Sequence, residues 1–267
     1  MHATTLALVG ATGGAGTTRT AVELAALGAR DGRDVAVVDA AFTTQGLSEY
    51  VTGRIGTDCT SLVTDDAGAS LSAATYPLAI GVEDGDGGQS GAVEGTGLPG
   101  RADAIPASAP FERMARAKTA EAAQKLERRI DEAATAYDAV IVDTAPVGSN
   151  QAVSAVTAAD RVETVYPATA HGQDALQRLR GRIADIGGSV DGSIGVARDG
   201  GSRIDSNAGG DTQIVLPATD PAVASAPVAA TGTGAYTRAV ADAYASAFDT
   251  SIGIKFDESG VIERLRS

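Results

Sequence analysis

Tryptophan is absent, other aromatics are sparse, and lysine occurs only as Lys118, Lys125 and Lys255. A core without large rings has to come from Ala, Val, Leu and Ile, which suits aliphatic strands covered by small-residue helices. The single cysteine, Cys59, excludes an internal disulfide and fits a reducing compartment. His2 and His171 are too isolated for a metal cluster or a catalytic triad. No apolar run approaches the roughly 20 residues that a bilayer span needs, and the N-terminus lacks a charged-then-apolar leader. The expected location is therefore the cytoplasm. Basic surface is scarce too: the formal net charge is -13, a composition suited to high salt, and it argues against direct nucleic-acid binding.

What is present is an alternation of apolar strands and helical stretches. Leu6 to Val9 reads as a buried strand, followed by a glycine loop and a helix from about Thr18 to Ala29, where Val22, Ala25, Ala26 and Ala29 keep the helical period. Val35 to Val38 is the next strand, ending at Asp39. A long helix is expected from about Pro110 to Ala136, with Ala122, Leu126, Ile130, Ala133 and Tyr137 on one face. Ala139 to Val142 is a strand that ends in Asp143. Further strands are expected at Val162 to Val165, Ile194 to Ala197 and Gln213 to Leu216, with helices near Gln173 to Ile186 and Ala235 to Phe248. This order predicts an α/β fold with a doubly wound, mostly parallel sheet and helices on both faces.

One domain is expected over residues 1–249, interrupted by an acidic, glycine-rich insertion at about 82–102 that is too polar to offset its ordering entropy. Residues 250–267 form a tail. Its run Val261 to Arg266 is weakly amphipathic, thin support for membrane association, and a frayed terminus is the plainer expectation.

The chemistry concentrates at strand ends. The loop Ala11-Thr12-Gly13-Gly14-Ala15-Gly16-Thr17-Thr18 stands where a phosphate-binding loop G-x-x-x-x-G-K-[ST] would, with Thr17 in place of the lysine. In a doubly wound sheet this loop, Asp39 and Asp143 converge, because ligands bind outside the carboxyl ends of parallel strands.

These residues resemble the MinD/ParA family of deviant P-loop ATPases, of the SIMIBI class. That family's loop K-G-G-x-G-K-T-[ST] falls on Thr12 to Arg19, and its Walker B region on Tyr137 to Pro146. Its second strand end and switch segment fall on Asp39-Ala40-Ala41 and Gln45 to Ser48, its L-P-A-S strand on Ile105 to Ser108, and its D-P-x-V and P-V segments on Thr219 to Val223 and Ala226 to Val228. The resemblance implies ATP or ADP with Mg2+ as ligand, held by Gly13, Gly14, Ala15, Gly16, Thr17, Thr18 and Arg19. It implies metal coordination by Thr18, Asp39 and Asp143. It also implies a protein partner, such as an active MinD/ParA paralogue.

Departures from the family fall together. Its signature lysine corresponds to Thr12, its phosphate-binding lysine to Thr17, and its switch carboxylate to Ala41. Phosphoryl transfer relies on positioned charge, so no catalytic residue is assigned. The expectation is a degenerate ATPase that binds nucleotide weakly or not at all and acts as a regulatory or scaffold protein in cell division, positioning or partitioning.

Two alternatives use the same residues. One is a working MinD/ParA-type ATPase in which another cation replaces the lysine. The other is an NAD(P)-binding protein of the short-chain dehydrogenase type, since Gly10 to Gly16 also reads G-x-x-G-x-x-G with Asp39 downstream. No tyrosine is followed by lysine four positions on, as that family's catalytic pair requires.

Overall fold

The computed structural model describes residues 3–65, 68–80, 97–198 and 213–256. The strands are β1 (Thr4–Gly10), β2 (Val35–Asp39), β3 (Tyr76–Pro77), β4 (Ala102–Ile105), β5 (Ala139–Thr144), β6 (Arg161–Pro167), β7 (Gly192–Val196) and β8 (Gln213–Leu216). The helices are α1 (Thr17–Arg30), α2 (Cys59–Thr64), α3 (Phe111–Arg116), α4 (Ala120–Ala136), α5 (Asn150–Ala158), α6 (Ala170–Asp185) and α7 (Ala235–Ala247). The strands form one sheet in the order β3-β4-β2-β5-β1-β6-β7-β8. Every pairing is parallel except the short edge pair of β3 with β4.

Both faces of the sheet are covered because successive strand residues point to opposite sides. Leu6 and Leu8 of β1 join the cluster under α1 and α7, while Ala7 and Val9 join Leu179 and Ile183 of α6 on the other face. On β2 and β5, Ala36, Val38, Val140 and Val142 meet Leu126 and Ile130 of α4. α1 is buried on all sides from Thr20 to Ala29, wedged between the sheet and the C-terminal segments, which explains why its sequence is richer in alanine than an amphipathic surface helix needs.

The expected helix from Pro110 to Ala136 is two helices. Thr119 has extended dihedrals, accepts a bond from Ala122 N at 3.2 Å, and donates its own hydroxyl to Arg116 O at 3.1 Å. One threonine thus stops α3 and caps α4. The expected apolar face survives within α4, where Ala122, Leu126, Ile130 and Ala133 are buried. Short helices α2 and α5 have no counterpart in the sequence reading, and β6 extends beyond the expected strand at both ends. The acidic insertion lies outside the described residues over 82–96, and its last residue, Ala102, already belongs to β4. The run Val261 to Arg266 also lies outside the described residues.

Chain entry into α6 depends on Gly172. A Cβ there would lie 1.9 Å from Pro167 O and 2.9 Å from its carbonyl carbon, both backbone atoms. Gly172→Ala is expected to destabilise the fold by about 2–4 kcal/mol, as overpacking against rigid backbone does. Urea midpoints compared with the parent check this.

Candidate functional site

Strand register assembles the site. β5 lies between β1 and β2, with Val9 opposite Thr144 and Asp39 opposite Asp143. The chain leaving β1 therefore emerges beside the two carboxylates. Ala11 N is tied to Val165 O of β6 at 2.8 Å, and Ala15 N closes a turn onto Thr12 O at 3.2 Å. Gly14 and Gly16 hold φ of 70° and 94°, left-handed values that a side chain disfavours. Gly16 caps α1 without a side-chain bond, and the first-turn N–H groups carry the positive end of the helix dipole.

On the wall of this cradle the Thr18 hydroxyl donates to Asp143 Oδ2 at 2.6 Å. The other oxygen, Asp143 Oδ1, is buried with no partner among the described residues. A buried anionic oxygen left without a donor suits a cation. Asp39 is fully buried behind it and engages its oxygens with Ala41 N at 2.8 Å and Ala107 N at 3.2 Å. Both carboxyls titrate above the usual carboxylate range. For each, burial is the first cause; for Asp39 the neighbouring Asp143 charge adds to it, while for Asp143 the Thr18 bond opposes it.

Thr12, Gly13, Gly14, Ala15, Gly16, Thr17, Thr18, Arg19, Ala41 and Asp143 line one cavity of about 280 Å³, whereas Asp39 does not reach its wall. The three departures from the ATPase pattern, at 12, 17 and 41, thus face the same space. Thr17 Oγ1 rests against Gly10, where a Cβ would approach it to 2.6 Å. Arg19 also borders the cavity, yet its guanidinium pairs with Glu23 at 2.7 Å and donates to the carbonyls of Asp220 and Ala222. It is committed to the loop after β8. Beyond Gly16 a second cleft of about 330 Å³ opens between Arg19, Val196, Arg198, Pro221 and Tyr236.

Sequence reasoning places Gln45 in the switch segment without giving it a role, and it misses Arg198. Gln45, left-handed at φ 52°, donates Nε2 to Ala109 O at 3.1 Å and accepts from Ala109 N at 2.7 Å, clasping the loops that follow β2 and β4. Its neighbour Gly46 leaves Thr18 Oγ1 only 3.5 Å from where a Cβ would sit. Arg198, just past β7, donates to Gly14 O of the cradle. Neither contact follows from local periodicity, since each joins distant segments. Strand order also disfavours the dehydrogenase alternative. In the dinucleotide fold the strand carrying the ribose-binding acid adjoins the first strand, whereas here β5 separates β2 from β1.

The family model described as an AAA domain matches residues 3–194. No curated protein matches. Among solved structures, a Cyanothece McdA variant in complex with ATP is similar at 18% identity with a TM-score of 0.68, covering 95% of this chain and 99% of that one. The Pyrococcus horikoshii septum site-determining protein MinD, in complex with Mg-ADP, gives 17% identity and a TM-score of 0.68, with 99% of each chain covered. A ParA family ATPase from Chlorobium tepidum gives 18% identity and a TM-score of 0.65, covering 90% of this chain and 98% of that one.

Proposed function

Because the chain belongs to the AAA-domain family and has the fold of the MinD/ParA ATPases, we propose that it is a magnesium-nucleotide-binding regulatory protein whose hydrolysis is lost. The observation that carries this reading is the pairing of the Thr18–Asp143 bond and the unpartnered Asp143 Oδ1 with a cavity whose positions 12, 17 and 41 hold Thr, Thr and Ala. Binding parts remain and cleavage parts are gone.

Backbone N–H groups from Gly13 to Thr18 would hold phosphate, and Thr18 with Asp143 would hold magnesium, whereas Asp39, off the cavity wall, is bonded to Ala41 N and Ala107 N. Bound magnesium would neutralise phosphate charge, as a hard cation with few protein ligands does. Among the described residues the cavity wall carries one carboxylate, Asp143, which this reading gives to the metal, so none is left at Ala41 to position an attacking water. A bound-state change would be read by a protein partner, such as an active paralogue, in cell division, positioning or partitioning.

Calorimetry with Mg-ATP and Mg-ADP, run beside a phosphate-release assay, tests this. The expected result is a dissociation constant on the order of 0.1 mM with phosphate release at background. Steady magnesium-dependent release that Asp143→Ala abolishes would restore the ATPase reading, and no heat with either nucleotide would remove the ligand.

A further inference from the structure

We propose that Arg198 is the phosphate-binding cation of the cradle, replacing from the far end of the sheet the lysine that position 17 lacks. The assignment deepens the nucleotide-binding reading above and rests on it.

The placement follows from pleat geometry. Alternate residues of an extended strand face the same way. Val196, the last residue of β7, packs its methyls 3.5–3.6 Å from where a Gly16 Cβ would be. Arg198, two residues on, reaches Gly14 and donates Nη2 to its carbonyl. Two same-facing residues of one strand end are therefore laid along two alternate, left-handed glycines of the loop. A Cβ at 14 or 16 would meet Arg198 or Val196 at ordinary contact distance, so what calls for glycine there is the left-handed backbone.

Chemistry selects Arg198 over its competitor. Among the described residues, Arg19 and Arg198 are the cations bordering the cradle or the adjoining cleft. Arg19 lines the cradle cavity, but its Nε and Nη1 are held by Glu23 and two carbonyls, and Nη2, which has no partner among the described residues, is buried. Arg198 is exposed and, among the described residues, makes one hydrogen bond, to a neutral carbonyl of the loop itself. A guanidinium carries five donors in a planar fork that matches a phosphate's oxygens, so a bond to one carbonyl leaves most of its capacity free. Asp143, whose buried Oδ1 has no partner among the described residues, lines the cradle cavity and marks where the metal end of the ligand would sit, while Arg198 lines the cleft that adjoins it beyond Gly16. A polyphosphate spanning the loop would then meet magnesium at Thr18 and Asp143 and the guanidinium at Gly14.

Calorimetry on the full chain with Mg-ATP and with inorganic tripolyphosphate separates the outcomes. Arg198→Ala is expected to weaken both ligands about tenfold or more, the loss typical of a charge-assisted contact, and Arg198→Gln to do the same, while thermal midpoints stay at the parent value. Adding Thr17→Lys to Arg198→Ala is expected to restore binding, because a cation over the loop is what is missing. If the parent binds and both Arg198 variants bind within about twofold of it, Arg198 is only a loop tie and the assignment falls alone. If the parent binds neither ligand, the nucleotide reading falls and takes the assignment with it.

Discussion

Replacing Asp143 with asparagine is expected to strengthen the ligand-free fold and to abolish its response to magnesium nucleotide. Asp143 and Asp39 face each other in register and are buried, and both titrate above the ordinary carboxylate range. Their folded pKa values exceed the unfolded value of about 4, so the folded state holds protons that the unfolded state releases. Stability from this pair is therefore highest below about pH 4 and falls as pH rises through the raised folded values, with the penalty complete above them. The Asp143→Asn change removes one of the two charges and retains an acceptor for the Thr18 hydroxyl. The gain should be about 1–3 kcal/mol at pH 8 and vanish near pH 4, read from urea midpoints at fixed high salt. In the same samples, Mg-ATP should raise the parent's melting temperature and leave the variant's unchanged. A variant weaker than the parent at pH 8 would show that the carboxylate stabilises the fold instead of serving a ligand.

Installing lysine at Thr17 should produce the largest change in affinity. Thr17 opens α1 inside the cavity, its hydroxyl folded against Gly10, and an ammonium extending from that position would meet an anion already favoured by the helix terminus. ATP is expected to bind at least about tenfold more tightly, whereas Thr17→Ala should change little. Turnover should remain at background, since Thr12 and Ala41 still leave the cavity without the second lysine and the switch carboxylate. Calorimetry with a parallel release assay measures both. Robust hydrolysis by Thr17→Lys alone would mean that positions 12 and 41 matter less than the geometry argues.

The parts legible in the sequence are those set by short-range pattern. Leu6 to Val9, Val35 to Val38 and Ala139 to Val142 are runs too apolar to be anything but buried, and each ends in a loop or acid whose place at the sheet's edge follows from parallel topology. The glycine loop is readable for the same reason. Strand order is not, because nothing local tells β5 to enter between β1 and β2. The break at Thr119 is hidden since alanines and charged residues continue the helical pattern on both sides of it. Arg198 is invisible for a stronger reason: its partner Gly14 is 184 positions away, and no spacing rule reaches that far.

The Gln45 clasp joins the loop beside Thr18 to the protein's surface. Gly46 lines the cavity with Thr18, Gln45 grips both backbone groups of Ala109, and α3 starts two residues later with Phe111, which is 79% exposed. A strained left-handed glutamine has little slack to absorb movement. The loop that borders Thr18 and the entry to α3 are thus joined through one side chain, and the exposed Phe111 ring stands at the outer end of that connection.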